Sequence, residues 1–219
     1  MLDDSLLCVI LLLLMLFALF YATNYPAFAK MTVDAVSTKE RQSIFEEQAH
    51  VGWGLKVFMI FQFLLLCSIF LVRASEAYHY IQVYTVTDLF KWLVYGFLAV
   101  SAFYLFKRMC NFVIWNIFAP RDEYKLWSTG YTATMSAWGT LLYIPVMLLI
   151  LAGHYPLLSL IVFALFFLVN RIVIIYKTTN IFRIKRIHLF HFLLYLCGLE
   201  LMTFLLFLKG LSFFYNLLE

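Results

Sequence analysis

Charge is what this chain has least of. Only 13% of its 219 residues are Asp, Glu, Lys or Arg, against about 25% in a soluble domain, and that scarcity excludes a water-solvated globule. Strand-like alternation over about ten residues, the mark of an outer-membrane barrel, is missing as well. The four cysteines, Cys8, Cys67, Cys110 and Cys197, sit in apolar runs without a CxxC pair. They read as small packing hydrophobes and identify neither a zinc site nor a redox compartment. No Walker loop, GxGxxG, HExxH or GxSxG occurs, which removes the readily recognised enzyme classes. The net charge of +4 comes without an RNA- or DNA-binding motif, so no nucleic-acid partner is expected.

What the chain does have is apolar and aromatic sequence, 65% and 20% respectively. It comes in blocks of roughly 17 residues or more, enough to cross about 30 Å of hydrocarbon as helix. The expected fold is all-α, a polytopic transmembrane helical bundle forming one integral membrane domain over 1–219. Its spans fall at 5–21, 55–72, 89–106, 127–151, 157–176 and 189–207, with an interfacial helix after the third. The first span follows Asp3 and Asp4, whereas a secretory signal opens on basic residues, so it reads as retained.

The connections have their own signals. Within 22–50, Ser37 and Glu40 have capping-box spacing, so a solvated lead-in helix is expected there, with a flex at Gly52 and Gly54. Between the second and third spans, His79 lies among Tyr78, Tyr80 and Tyr84, an interfacial aromatic belt. Thr87-Asp88 reads as the cap of the third span. The run 109–118 is too short to cross and too apolar for a loop. It reads as an interfacial helix or a continuation bent at the surface, with a re-entrant segment as the alternative. Pro120 breaks it, and Arg121, Asp122, Glu123 and Lys125 form a solvated turn.

The fourth span opens with Ser128, Thr129, Gly130, Thr132, Thr134, Ser136, Gly139 and Thr140. Small residues at four-residue spacing admit a neighbouring helix, and packing is the favoured reading. The alternative is a polar cavity lined by these hydroxyls, with Pro145 bending the helix beyond it. Only 152–156 separates the fourth and fifth spans, which requires an antiparallel hairpin, with His154 solvated in its turn.

Basic residues orient the bundle. With both termini outside, the three inner connections and their flanks hold Lys30, Lys39, Arg41 and Lys56; Lys107, Arg108, Arg121 and Lys125; and Arg171, Lys177, Arg183, Lys185 and Arg186. Four, four and five make thirteen of the 16 basic residues, a strong positive-inside bias. The expected location is a bacterial inner (cytoplasmic) membrane, multi-pass, with periplasmic termini and basic residues touching anionic head groups.

Glu200, near the middle of the last span, is the residue most expensive to place in a bilayer. Either it is clasped by Gln62, by the fourth-span hydroxyls or by Arg171, or it is a proton- or substrate-linked carboxylate whose pKa desolvation raises. Gln62, Asn170, Arg171 and Thr140 are the other intramembrane polar candidates. An amide such as Gln62 more often joins helices than binds a ligand, and Arg171 can snorkel to the interface. His188, His191 and Tyr195 share one face of the last helix at the inner interface. Glu200 lies near the opposite face, about 13 Å further along the axis. Two histidines alone lack the further ligands of a closed site, so neither metal nor cofactor is expected.

The stretch HLFHFLLYLCGLELMTFLLFLKGL at 188–211 resembles the closing signature of an uncharacterised inner-membrane family of Bacteroidota, domain of unknown function 4271. ERQSIFEEQ at 40–48 and FYLFKRMCNFVIWNIF at 103–118 are similar to that family's other blocks. The resemblance implies a polytopic inner-membrane location and carries over no functional residue. The expected function is a non-enzymatic structural or accessory subunit of a membrane complex, with partner subunits. The alternatives are a small proton-coupled or lipid-like solute transporter using Glu200, and a lipid-modifying enzyme using Glu200 or His191.

Overall fold

The structure, a computed structural model, describes residues 2–29, 53–78, 80–118, 121–151, 156–184 and 209. The lead-in helix expected from Ser37, His79, the turn holding His154 and the sixth span at 189–207 lie outside the described residues. Those described are helical throughout apart from short turns and the link at 80–85. The helices are α1 (Leu2–Thr23), α2 (Trp53–Ala77), α3 (Val86–Phe118), α4 (Arg121–Leu141), α5 (Tyr143–Leu151) and α6 (Pro156–Ile184). Among the described residues five stretches are long and apolar enough to cross a membrane, the fourth being α4 and α5 together over Trp127–Leu151. This is a polytopic helical membrane protein.

Local chemistry sets the ends. At the start of α3 the cap is Thr85, not Thr87: the Asp88 backbone N–H donates to the Thr85 hydroxyl at 3.2 Å, and that hydroxyl donates to the Asp88 carboxylate at 2.6 Å. The three-residue spacing of a capping box outranks the adjacent pair Thr87-Asp88. Helix α6 opens on Pro156, which suits a first helical position because its missing N–H would have had no partner. Helix α3 runs for 33 residues without a break, about 50 Å at 1.5 Å per residue. The run 109–118 is therefore a direct helical continuation of the third span. A re-entrant segment would need a turn there, and none forms.

Two expectations about the fourth span need correcting. Residues 121–125, expected as a solvated turn, already belong to α4. A helix start leaves its first four N–H groups unpaired, so a polar segment in water can serve as a first turn equally well. The span is also two helices, not one, with a turn at Leu142. Pro145 offers no N–H to the carbonyl of Leu141 and its ring crowds that carbonyl, so the α-helical ladder is interrupted there. Across the expected hairpin, Ser159 donates its hydroxyl to the Pro145 carbonyl at 2.7 Å. That bond ties the start of α6 to α5.

Helix α2 is the hub, packed against α3, α4, α5 and α6. Half of its spanning window is buried, and 56% of the fourth span's, against 17% for the first, third and fifth. Two glycines allow the close approach. A Cβ on Gly139 would lie 3.2 Å from the Phe63 Cβ, 3.5 Å from its Cα and 3.6 Å from the Met59 carbonyl oxygen. One on Gly96 would meet Val72 Cγ2 at 3.2 Å. Helix α1 attaches through one stripe, Leu6, Ile10 and Leu13, packed with Leu66, Ile69 and Phe70 of α2 and with Tyr143 and Val146 of α5. A second core joins Leu64, Val100, Tyr104, Trp127, Tyr131, Met135 and Ile174 from four helices.

Candidate functional site

The polar half of the fourth span is the first place to look. Its hydroxyls turn back onto their own helix: Thr132 donates to the Ser128 carbonyl at 2.8 Å, Thr134 to Gly130 at 2.8 Å, Ser136 to Thr132 at 2.9 Å and Thr140 to Ala137 at 2.7 Å. Thr132, Thr134 and Ser136 are buried. A short hydroxyl side chain can satisfy itself on a carbonyl three or four residues back, and a polar row then needs no water. Gly139, one residue before Thr140, lies in close contact with Phe63 and Met59 of α2.

At the end of the bundle that carries Lys56, Arg108 and Lys177, α4 and α6 join through side chains, while Arg108 and Asn111 of α3 bond within their own helix. The Trp127 indole N–H donates to the Thr178 hydroxyl at 3.2 Å, and the Lys177 ammonium to the Thr134 hydroxyl at 3.4 Å. On α3, Arg108 donates to the Tyr104 hydroxyl at 3.1 Å and Asn111 to the Lys107 carbonyl at 3.0 Å. Lys107 is only 3% exposed and Asn111 only 1%. Sequence reasoning treated Lys107 as an interface charge, yet Val100, Tyr104, Lys107 and Asn111 recur at helical spacing on one buried face. That periodicity was the available signal.

The Asn111 side-chain oxygen has no partner among the described residues, and mid-span holds further polar atoms of that kind. Gln62 is 0% exposed, and neither its amide nitrogen nor its oxygen has a hydrogen-bond partner among the described residues. A buried polar group without a partner costs about 1–3 kcal/mol, so such groups are rare and need a reason. The Tyr143 hydroxyl, missed by sequence reasoning, is likewise buried and unpartnered. Asn170 is buried with its side-chain oxygen unpartnered. The Arg171 guanidinium lies 4.7 Å above the Phe167 ring, one turn back on α6. Such a contact is worth roughly 0.5–2 kcal/mol depending on desolvation.

Thr140 bonds its own helix, Gln62 stands on α2, and Asn170 and Arg171 stand on α6. Glu200, His188, His191 and Tyr195 lie outside the described residues. Among the described residues no group of three His, Cys, Asp or Glu is placed to hold a metal ion. The ion pairs Lys91 to Asp88 at 3.4 Å and Arg73 to Glu76 sit near the opposite end from Lys177. Among the described residues, α2 and α5 offer neutral hydrogen bonding at mid-span in an apolar, aromatic setting.

The chain belongs to the family described as Domain of unknown function (DUF4271), which matches residues 6–211. No curated protein and no solved structure matches it.

Proposed function

We propose that this member of the DUF4271 family is a non-enzymatic structural or accessory subunit of a membrane complex in a bacterial inner membrane. The observation that carries the reading is the fate of the fourth-span hydroxyls. The side chains best suited to line a polar path are spent on their own helix, and Gly139 closes the space beside them. A bundle organised for packing supports a scaffolding role. Lys56, Arg108 and Lys177, grouped at one end, are suited to anionic head groups on the cytoplasmic side.

The test is extraction in a mild detergent followed by native mass measurement. The reading expects the chain in a complex of fixed stoichiometry with another membrane protein, retained when Glu200 is changed to Gln. Recovery of the chain alone would overturn it. Orientation is tested by cysteines introduced beside Asp3 and Asp122. The proposal expects the first to be labelled from the periplasm and the second from the cytoplasm; the reverse pattern would refute it.

A second reading, a proton-coupled or lipid-like solute transporter, is favoured by the amide of Gln62, unpartnered among the described residues. It separates from the first on Glu200→Gln, which would abolish transport while leaving the protein folded.

A further inference from the structure

We infer that Gln62 and Tyr143 form an intramembrane binding site for a neutral, lipid-soluble ring carrying carbonyl oxygens, of the quinone class. Both side chains are buried, and both hold hydrogen-bonding atoms without a partner among the described residues. The packing register places them at one junction. Met59 and Phe63 of α2 lie against Gly139. Gln62 follows Met59 by one turn, and Tyr143 follows Gly139 by one turn. A helical side chain leans toward the N-terminus of its own helix, which brings Tyr143 back toward the level of that crossing. Phe17 of α1 closes the third side: its ring is 6.4 Å from that of Tyr143, and it packs on the cluster formed by Leu55 and Met59.

The chemistry of the junction selects the ligand. No charged residue occurs between Val57 and Val72, between Ser5 and Thr23, or between Leu141 and Leu151, so these three helix stretches give a charged ligand no counter-ion. The amide N–H groups of Gln62 and the phenol O–H of Tyr143 can donate to oxygen acceptors. The Gln62 carbonyl can accept from the hydroxyl of a reduced ring. The surroundings are aromatic, with Phe20 stacked on Phe58 at 4.3 Å and Phe17 edge-on to Phe28 at 5.6 Å, which suits a flat ring. Ligand sites are commonly apolar with a few placed polar groups. Only 17% of the spanning window of α1 is buried, so the α1 side is where a molecule dissolved in the bilayer would enter. The interruption at Leu142 leaves α5 able to adjust against α4. Binding at this junction is independent of whether the protein is a subunit or a transporter.

The test uses the full-length protein in lipid nanodiscs and a short-chain benzoquinone as the probe, read by equilibrium dialysis and by the shift in melting temperature. Wild type is expected to bind saturably. Tyr143→Phe removes one oxygen and no packing, and it should bind about tenfold more weakly, the equivalent of one hydrogen bond of about 1.4 kcal/mol. Gln62→Leu should lose most of the binding without a lower melting temperature in the absence of probe. If Gln62→Leu fails to fold, Tyr143→Phe alone decides. No saturable binding to wild type, the result if the junction holds only water, would overturn the inference. Equal binding by wild type and Tyr143→Phe would overturn it as well.

Discussion

The first half of the fourth span and the middle of α2 both place polar side chains inside an apolar bundle, with opposite results. Thr132, Thr134 and Ser136 are three buried hydroxyls, each bonded to a carbonyl of its own helix. Gln62 is a single amide, equally buried, with both polar atoms unpartnered among the described residues. Density of polar residues is therefore a poor guide to a membrane site. Side-chain length and bonding capacity decide, because a hydroxyl can be satisfied by its own helix whereas an amide has several bonds to make and depends on what faces it.

That difference can be broken or sharpened by substitution. The largest effect is expected at Gly139, where the two stretches meet. Gly139→Leu drives a side chain into Phe63 and the Met59 carbonyl, part of which is backbone that cannot step aside, and it should cost about 3 kcal/mol in reversible unfolding. Next comes Gln62→Leu in the absence of any ligand. Replacing an unpartnered amide by an apolar side chain of similar size removes a penalty, so stability should rise by about 1–2 kcal/mol. A loss of comparable size would mean that Gln62 has a partner after all. Trp127→Phe deletes the indole N–H that joins α4 to Thr178 of α6 and should cost about 1 kcal/mol. The smallest effect is expected for Ser136→Ala, within about 0.5 kcal/mol, because a back-bonded hydroxyl adds little to a helix. If Ser136→Ala costs more than Trp127→Phe, the proposed contrast between self-satisfied and tertiary bonds fails.

Much of the architecture was legible because the bilayer demands long apolar helices, and the chain supplies little else. Pro145 announced a change in the fourth span, and the short link after Leu151 announced a hairpin. What stayed hidden depended on neighbours. The cap at Thr85 was overlooked in favour of Thr87-Asp88, although its three-residue spacing to Asp88 was present in the sequence. Burial of Lys107 follows from the face it shares with Val100 and Tyr104, but its charge drew attention to the interface instead. Gln62 was singled out for its type alone; its missing partners became visible only with α1, α2 and α5 in place. Tyr143 gave no sequence signal beyond sitting near a proline, since tyrosine is common throughout this chain. The close approach at Gly139 was hidden within a row of small residues, any of which could have made the contact.

The central claim is that the polar half of the fourth span is packing and not a water-filled path. Cysteine scanning at Thr132, Thr134 and Ser136, in a background with Cys8, Cys67, Cys110 and Cys197 replaced, tests it most directly. Sealed vesicles of each orientation would be treated with a membrane-impermeant thiol reagent, with a cysteine at exposed Tyr84 as the reactive control. The account predicts that all three positions remain unlabelled while position 84 reacts. Labelling of Thr134→Cys or Ser136→Cys at a rate near that of the control would contradict it.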